Sequence, residues 1–398
     1  MGGCRPIIGL DGTHLKTSTG GVMLYVVGVD GNNNMYPIAY AVVLKENTKS
    51  LKWFVSLLID DLCIENSFTW SIISDKQKGL LKAIEMLLPN AEHRFCLWHM
   101  YNNFKHKRNV MKAASATRLV DFNNEMEKLM ASDKAAYQWV NERDPKHWAK
   151  SHFNTWPKCD MLLNNFCEAF NSVILKARDK PIITMLETIR VLLMKMLHTQ
   201  RDKVILKFNG EIFHSIQRIL ENNKKNAHNY ILVWNGHHKF EVEGWIGVKW
   251  TVDLGARSCS CRRWDLTGIL CVHAISCIFY RRENVEDYVE NWYKRDMFLR
   301  AYEHLLNPIK SYKEWPSTNL NPIVPWGDIH NKPGRPSKHA RRKEVDEIES
   351  QKYGIKRHGM KYSCSNCGKR GHNKTSCVDA PMSQETTSTS KSKLSVTF

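Results

Sequence analysis

Asp11 closes the apolar run PIIGL (residues 6–10) and is followed at once by Gly12. Asp75 closes a second such run, FTWSIISD, 64 residues later. An acid in that position reads in two ways. Asp-Gly is a turn signal in its own right. Alternatively, two acids at neighbouring strand ends make a site for divalent cations, because close carboxylates repel unless a cation neutralises them. Hard cations with oxygen ligands, Mg²⁺ or Mn²⁺, suit such a pair. One would activate a water or a 3′-hydroxyl and the other would stabilise the leaving oxygen of a phosphoryl transfer. A second chemistry is written in cysteine and histidine. Cys259-x-Cys261, nine residues and Cys271-x-His273 supply the four soft ligands of a tetrahedral structural Zn²⁺. Cys364-x2-Cys367-x4-His372-x4-Cys377 supplies a second set, with Gly368 and Gly371 permitting tight turns around a small metal loop. Few apolar residues surround that loop, so metal is its source of stability.

The elements that must position these groups follow from periodicity. RPIIGL, GVMLYVVGVD and MYPIAYAVVL are strand-like and are separated by STGG and DGNNN, the residues of short turns. SLKWFVSLLIDDL has helical spacing, FTWSIISD is a fourth strand, KGLLKAIEMLLPN is a helix stopped by Pro89, and HRFCLWH is a fifth strand. The order β-β-β-α-β-α-β is that of an α/β, ribonuclease-H-like core, in which the first and fourth strands are neighbours and Asp11 meets Asp75. In that fold a third acid comes from a helix after the fifth strand. Glu168 in LLNNFCEAFNSVI is the best placed, ahead of Glu125 and Glu127, which lie in an ordinary amphipathic pattern. Residues 100–230 read as helical, and period-two alternation resumes in HKFEVEGWIGVKWTVDL.

The expected organisation is a core over 1–230 with a helical insertion at about 100–160, then a small zinc domain over 231–306. A proline-rich and basic linker over 307–360, a CCHC knuckle over 361–378 and a disordered tail over 379–398 follow. The 398 residues carry a net charge of +18. It is concentrated at 101–230, with 22 basic against 13 acidic side chains, and at 332–377, with 13 against 4. Two basic segments imply a polyanionic partner or simply a well-solvated surface. No apolar run approaches membrane-spanning length and residues 1–6 have no signal-peptide character, which implies a soluble intracellular protein without a membrane partner. The 12 cysteines are then thiols or metal ligands rather than disulfides.

The blocks DGTHLK, SDKQKGL, CLWHMYNNF and NNFCEAFN resemble, in order, those of plant Mutator-like element (MULE) transposases. The resemblance implies a catalytic DDE triad at Asp11, Asp75 and Glu168, and matches Cys96 and His99 to the family's Cys-x-x-His, as neighbours of the active site. The Cys259–His273 set resembles the SWIM zinc finger that follows this catalytic domain. A tryptophan before the glutamate, Trp148 or Trp156, would stack on DNA in related transposases, although a core position is open for either. NKPGRPSKHARRK resembles an AT-hook: Arg335 would enter the minor groove while Lys332, Lys338, Arg341, Arg342 and Lys343 contact phosphates. The same segment also reads as a nuclear-localisation signal. Knuckles bind single-stranded nucleic acid, and Lys369, Arg370 and Lys374 would supply charge.

The family therefore implies a nuclear DNA transposase with two Zn²⁺ and a Mg²⁺ or Mn²⁺ site, acting on transposon ends and target DNA, with a homo-oligomer left open. Relatives carry a further DNA-binding domain ahead of the core; its absence would fit a truncated chain or a domesticated, non-catalytic regulator of transcription.

Overall fold

The computed structural model describes residues 2–17, 20–101, 107–244, 247–311, 314–317, 366–367 and 377. The chain divides into two compact units, residues 1–342 and 343–398. The first begins with β1 (Ile7–His14), β2 (Val22–Val29), β3 (Met35–Val43), α1 (Thr48–Asp61), β4 (Ser71–Ser74), α2 (Lys78–Leu87) and β5 (Glu92–Phe95). Helices α3 (Leu97–Tyr101), α4 (Lys107–Ser115), α5 (Leu119–Ser132), α6 (Lys134–Asn141), α7 (Asn165–Val173), α8 (Ile182–Lys207) and α9 (His214–Asn226) follow. The unit continues with β6 (Ile231–Trp234), β7 (Lys239–Glu243), β8 (Lys249–Asp253), β9 (Ser258–Cys259), α10 (Arg263–Thr267), α11 (Val272–Arg281) and α12 (Arg295–Ala301).

The first sheet runs β3-β2-β1-β4-β5. β1, β2 and β3 pair antiparallel, whereas β1–β4 and β4–β5 are parallel. All eight residues of β2 are buried, which requires cover on both faces. Alternate residues accordingly enter separate cores: Leu24 and Val26 pack with α1 and α2 through Leu51, Phe54, Leu58, Leu80 and Ile84. Met23, Tyr25 and Val27 pack on the opposite face with Phe166 and Phe170 of α7 and Met185 and Ile189 of α8. The Asn47 side chain caps α1 by accepting from the Ser50 amide at 3.0 Å, and Gln77 caps α2 by accepting from Leu80 at 2.6 Å.

HRFCLWH departs from the expected single strand. β5 stops at Phe95 and Leu97 opens α3. The Cys96 amide still donates to Ser74 O at 2.7 Å, but Leu97 N donates to Leu162 O at 2.8 Å, outside the sheet. Tertiary pairing with the 160s segment therefore turns the chain after one further strand bond, and Cys96 and His99 fall at a strand-to-helix corner.

The second sheet runs β6-β7-β8-β9, all antiparallel, under α9 and α11. Its core also takes in Cys4, Leu197, Val204 and Ile212, so the boundary expected at residue 231 cuts through one continuous packing cluster. Tyr302 OH donates to Asp30 Oδ2 at 3.0 Å, Tyr36 OH donates to Ala301 O at 2.8 Å, and Arg5 reaches Tyr293 OH at 3.4 Å. These ties join the first sheet to the segment around α12, which packs in the core of the second.

Gly9 is where α7 closes on β1. A methyl there would sit 2.3 Å from Phe166 and 2.4 Å from Asn164 Oδ1. Gly9→Ala is expected to destabilise the protein by about 1–3 kcal/mol through overpacking, read as a lower denaturant midpoint at unchanged slope; an unchanged midpoint would contradict this packing.

Candidate carboxylate and zinc sites

The parallel register sets Ile7, Ile8 and Gly9 opposite Ser71, Ile72 and Ile73. Carried two residues further, it brings Asp11 level with Asp75, which directly follows β4. Asp11 Oδ1 accepts from the Gly12 amide at 2.8 Å and Oδ2 accepts from Tyr25 OH at 3.1 Å. Burial first, and the Asp75 charge next, push the Asp11 carboxyl up to about 6. Burial also raises Asp75. The Ser74 hydroxyl donates to Asp75 O at 2.8 Å and lies 2.8 Å from His93 Nε2. Burial pushes His93 down to about 3, so the ring is neutral and can donate to Ser74 from Nε2.

Two further groups join the pair. Glu46, in the loop between β3 and α1, is pushed up to about 7 by burial and then by Asp75 and Asp11. A methyl on Gly12 would stand 3.3 Å from its carboxylate. His99 is pushed up to about 9, first by its hydrogen bond with Cys96 and then by Cys96, Asp75 and Asp11 charge, against its partial burial. Three acids and one imidazolium thus share a neighbourhood. Nothing in the sequence singles out Glu46: KEN reads as a charged loop, and only the fold returns it to the end of β1.

Glu168 lies in the first turn of α7 with its side chain exposed. Its neighbour Cys167 is buried and pushed up by burial and then by Asp11, with Cys96 and Glu168 adding to the shift. The Asn164 amide donates to Cys96 Sγ at 3.3 Å, and Asn164 Nδ2 donates to Leu10 O at 3.4 Å. Helix α7 is therefore pinned beside Asp11 while Glu168 points to solvent at the edge of the same neighbourhood. Trp148 is fully buried, in the core of the helical region, whereas Trp156 is 57% exposed.

At the other end of the unit, one ligand atom from each of Cys259, Cys261, Cys271 and His273 lies within 4.8 Å of all the others, and all four residues are buried. Cys259 Sγ is 3.6 Å from His273 Nδ1. Hydrogen bonds from Cys259 and Cys271 push the Cys261 thiol down. Trp250 stacks on the His273 ring at 4.0 Å and Tyr230 meets it edge-on at 5.0 Å. Asp265 Oδ2 accepts from the Cys259 amide at 3.0 Å. Three thiols and an imidazole in a closed, aromatic-walled pocket fit structural zinc. Among the described residues no other three His, Cys, Asp or Glu residues bring ligand atoms this close together, so Asp11, Glu46 and Asp75 interact without closing to that distance as a trio.

The family model of the MULE transposase domain matches residues 7–103, from the first residue of β1 to just past α3. The chain carries a MULE transposase domain. A second model, the SWIM zinc finger, matches residues 250–277 and encloses Cys259, Cys261, Cys271 and His273. The two together are consistent with a Mutator-like transposase. No curated protein matches the chain at a significant level.

Asp11, Glu46, Asp75, Cys96 and His99 fall inside the MULE domain match, and Glu168 falls beyond it. Cys277, in the last turns of α11, is buried in the SWIM core and is not a ligand. Of the C-terminal set, Cys364 and His372 lie outside the described residues, as do Lys332, Arg335, Lys338, Arg341, Arg342 and Lys343. In the second unit Asn366 Nδ2 donates to Cys377 Sγ at 3.4 Å. Among the described residues no helix is long and apolar enough to cross a membrane.

Two outcomes follow. Because Asp11 and Glu46 titrate above ordinary carboxyls, the cation-free fold holds more protons at these two groups than the unfolded chain does between about pH 4 and pH 7. Their contribution to stability falls as pH rises through that window, while the depressed His93 works in the opposite direction. Asp11→Asn is expected to raise cation-free stability at pH 7.5 by about 1–3 kcal/mol and to abolish any further stabilisation by Mn²⁺, both read by thermal melts; a destabilised variant would contradict the like-charge crowding. Cys271→Ser is expected to lower the bound zinc by about one equivalent per chain, measured by elemental analysis, with a lower melting temperature.

Proposed function

We propose that the chain is a Mutator-like DNA transposase that cuts and joins DNA strands at the ends of β1 and β4. The observation that carries this reading is the coincidence of the MULE domain match with two acids at adjacent strand ends inside it. The strand order β3-β2-β1-β4-β5, with β1 beside β4, supports assigning the core to the ribonuclease-H-like class.

The raised carboxyls fit a cation site, since a divalent ion removes the repulsion that burial otherwise magnifies. Asp11 and Asp75 would hold Mg²⁺ or Mn²⁺, and either Glu46 or Glu168 would complete the set. When bound, these ions supply a lowered pKa for an attacking water or 3′-hydroxyl and charge stabilisation at the leaving oxygen. The protein's own groups do the positioning. Tyr25, whose hydroxyl is kept protonated by burial, holds Asp11 Oδ2, and the neutral His93–Ser74 pair holds the backbone at Asp75. Lys45 and Lys78, both exposed, flank Glu46 and Asp75 in sequence and supply positive charge for a phosphodiester backbone. Hydrolysis at an element end would release a 3′-hydroxyl, whose attack on target DNA exchanges one phosphodiester for another. The buried Cys/His cluster takes structural Zn²⁺. Arg335 with its basic neighbours, and the knuckle with Cys364, Cys367, His372 and Cys377, would add duplex and single-strand binding, and the same basic run would direct the protein to the nucleus.

The test is strand cleavage of an oligonucleotide carrying candidate element ends in Mn²⁺. Asp75→Ala is expected to lower nicking by about 100-fold or more while leaving DNA binding in Ca²⁺ intact. Equal nicking by both proteins would remove the assignment. Comparing Glu46→Gln with Glu168→Gln in the same assay identifies the completing acid.

A further inference from the structure

The zinc cluster does not stand apart from the MULE core. Arg262, directly after the ligand Cys261, adopts φ +61°, a left-handed conformation that a non-glycine residue holds only when its surroundings enforce it. Its guanidinium crosses to residues more than a hundred positions earlier: Nη1 donates to Ser151 O, and Nη2 donates to Phe153 O at 2.7 Å. Thr117 Oγ1 donates to the carbonyl of Cys261 itself at 2.7 Å, and Lys158 Nζ donates to Asp265 O at 3.2 Å. Leu266 of α10 is fully buried among Leu97, Met100, Trp148, Phe153 and Leu162.

The segment held in this way leads to the carboxylates. Phe153 lies under the Arg94 guanidinium, 4.0 Å from ring centroid to Cζ. Arg94, wholly buried at the end of the core sheet, donates to Cys159 O at 2.7 Å and pairs with Glu92 at 2.6 Å. Glu92 in turn accepts from the Asn154 amide at 2.7 Å. Eight residues on, Leu162 O receives the Leu97 amide that opens α3, and two further on the Asn164 amide meets Cys96 Sγ. Residues 151–164 thus form a strap with the zinc loop on one side and β5 on the other, ending where α3 and α7 abut Asp11.

We infer that the SWIM zinc loop braces the carboxylate site: metal at Cys259, Cys261, Cys271 and His273 fixes Arg262 and Leu266, which hold the 151–164 strap and through it α3 and α7. Arg262 is a positioning residue, and zinc has a role in this chain beyond folding its own finger. The consequence for catalysis rests on the transposase reading above, whereas the brace itself does not.

The experiment uses the full chain and site-specific variants, because a chelator would also strip zinc bound elsewhere. Arg262→Ala is expected to keep its zinc, to speed amide exchange across 151–164 and 94–100 about tenfold or more, and to leave β2 and β3 unchanged. Arg262→Lys, which keeps one charged donor, should restore part of the protection. Thr117→Val, removing only the bond to the Cys261 carbonyl, should act in the same direction if Arg262→Ala does not fold. Cys271→Ser should reproduce the exchange pattern with loss of one zinc. Binding of Mn²⁺, followed by electron paramagnetic resonance, should weaken about tenfold in Arg262→Ala and recover in Arg262→Lys. If wild-type protein binds no Mn²⁺, the carboxylate reading fails while the exchange result still decides the brace. Unchanged exchange across 151–164 in both Arg262→Ala and Cys271→Ser overturns the brace, as does an Arg262→Ala protein that loses zinc and exchanges faster everywhere.

Discussion

Parallel pairing of β1 with β4 is the constraint from which the MULE core follows. It joins strands from distant parts of the chain and puts the ends of both at one edge of the sheet, so Asp11 and Asp75 share a half-buried corner. Charging two carboxyls there opposes folding: burial first, and like charge next, push Asp11 and Glu46 up. The surroundings hold the cluster in place and relieve it only in part: Tyr25 donates to Asp11, His93 and Ser74 secure the Asp75 backbone, and His99 brings positive charge. This crowding of carboxyls is the feature on which the proposed cation site rests.

The two acids competing to complete that corner arrive from opposite faces of the sheet. Glu46 comes from the α1 side and meets Gly12, whereas Glu168 comes from α7, packed on the face that carries Tyr25 and Gly9. Glu46 already feels the aspartate charges, and Glu168 faces solvent beside the buried Cys167.

Buried polar groups, rather than apolar area alone, tie the MULE core to the 293–302 segment that packs with the second sheet. Asp30 is fully buried, yet it accepts from two Asn34 donors, the Asn32 amide and Tyr302 OH. Arg5 reaches Asn33 and Tyr293, and Arg94 has Glu92 and a backbone carbonyl. Removing one partner from such a network strands a buried charge, so the assembly resists partial opening. Arg262 and Leu266 reach separately from the Cys/His loop into the core.

Local chemistry was legible in the sequence. Alternation and turn residues marked β1 to β4, helical spacing and Pro89 marked α1 and α2, and the Cys259, Cys261, Cys271 and His273 cluster could be picked out because metal coordination demands fixed residue types at short separations. The corner after Phe95 was misread as strand, because CLWH is apolar enough for either state and only the Leu97–Leu162 bond turns it into a helix. Glu46, Arg262 and the shared core across residue 231 had no sequence signal at all. Each depends on contacts between residues far apart in the chain, and such contacts are set by how the sheet and helices pack, not by the pattern of any one segment.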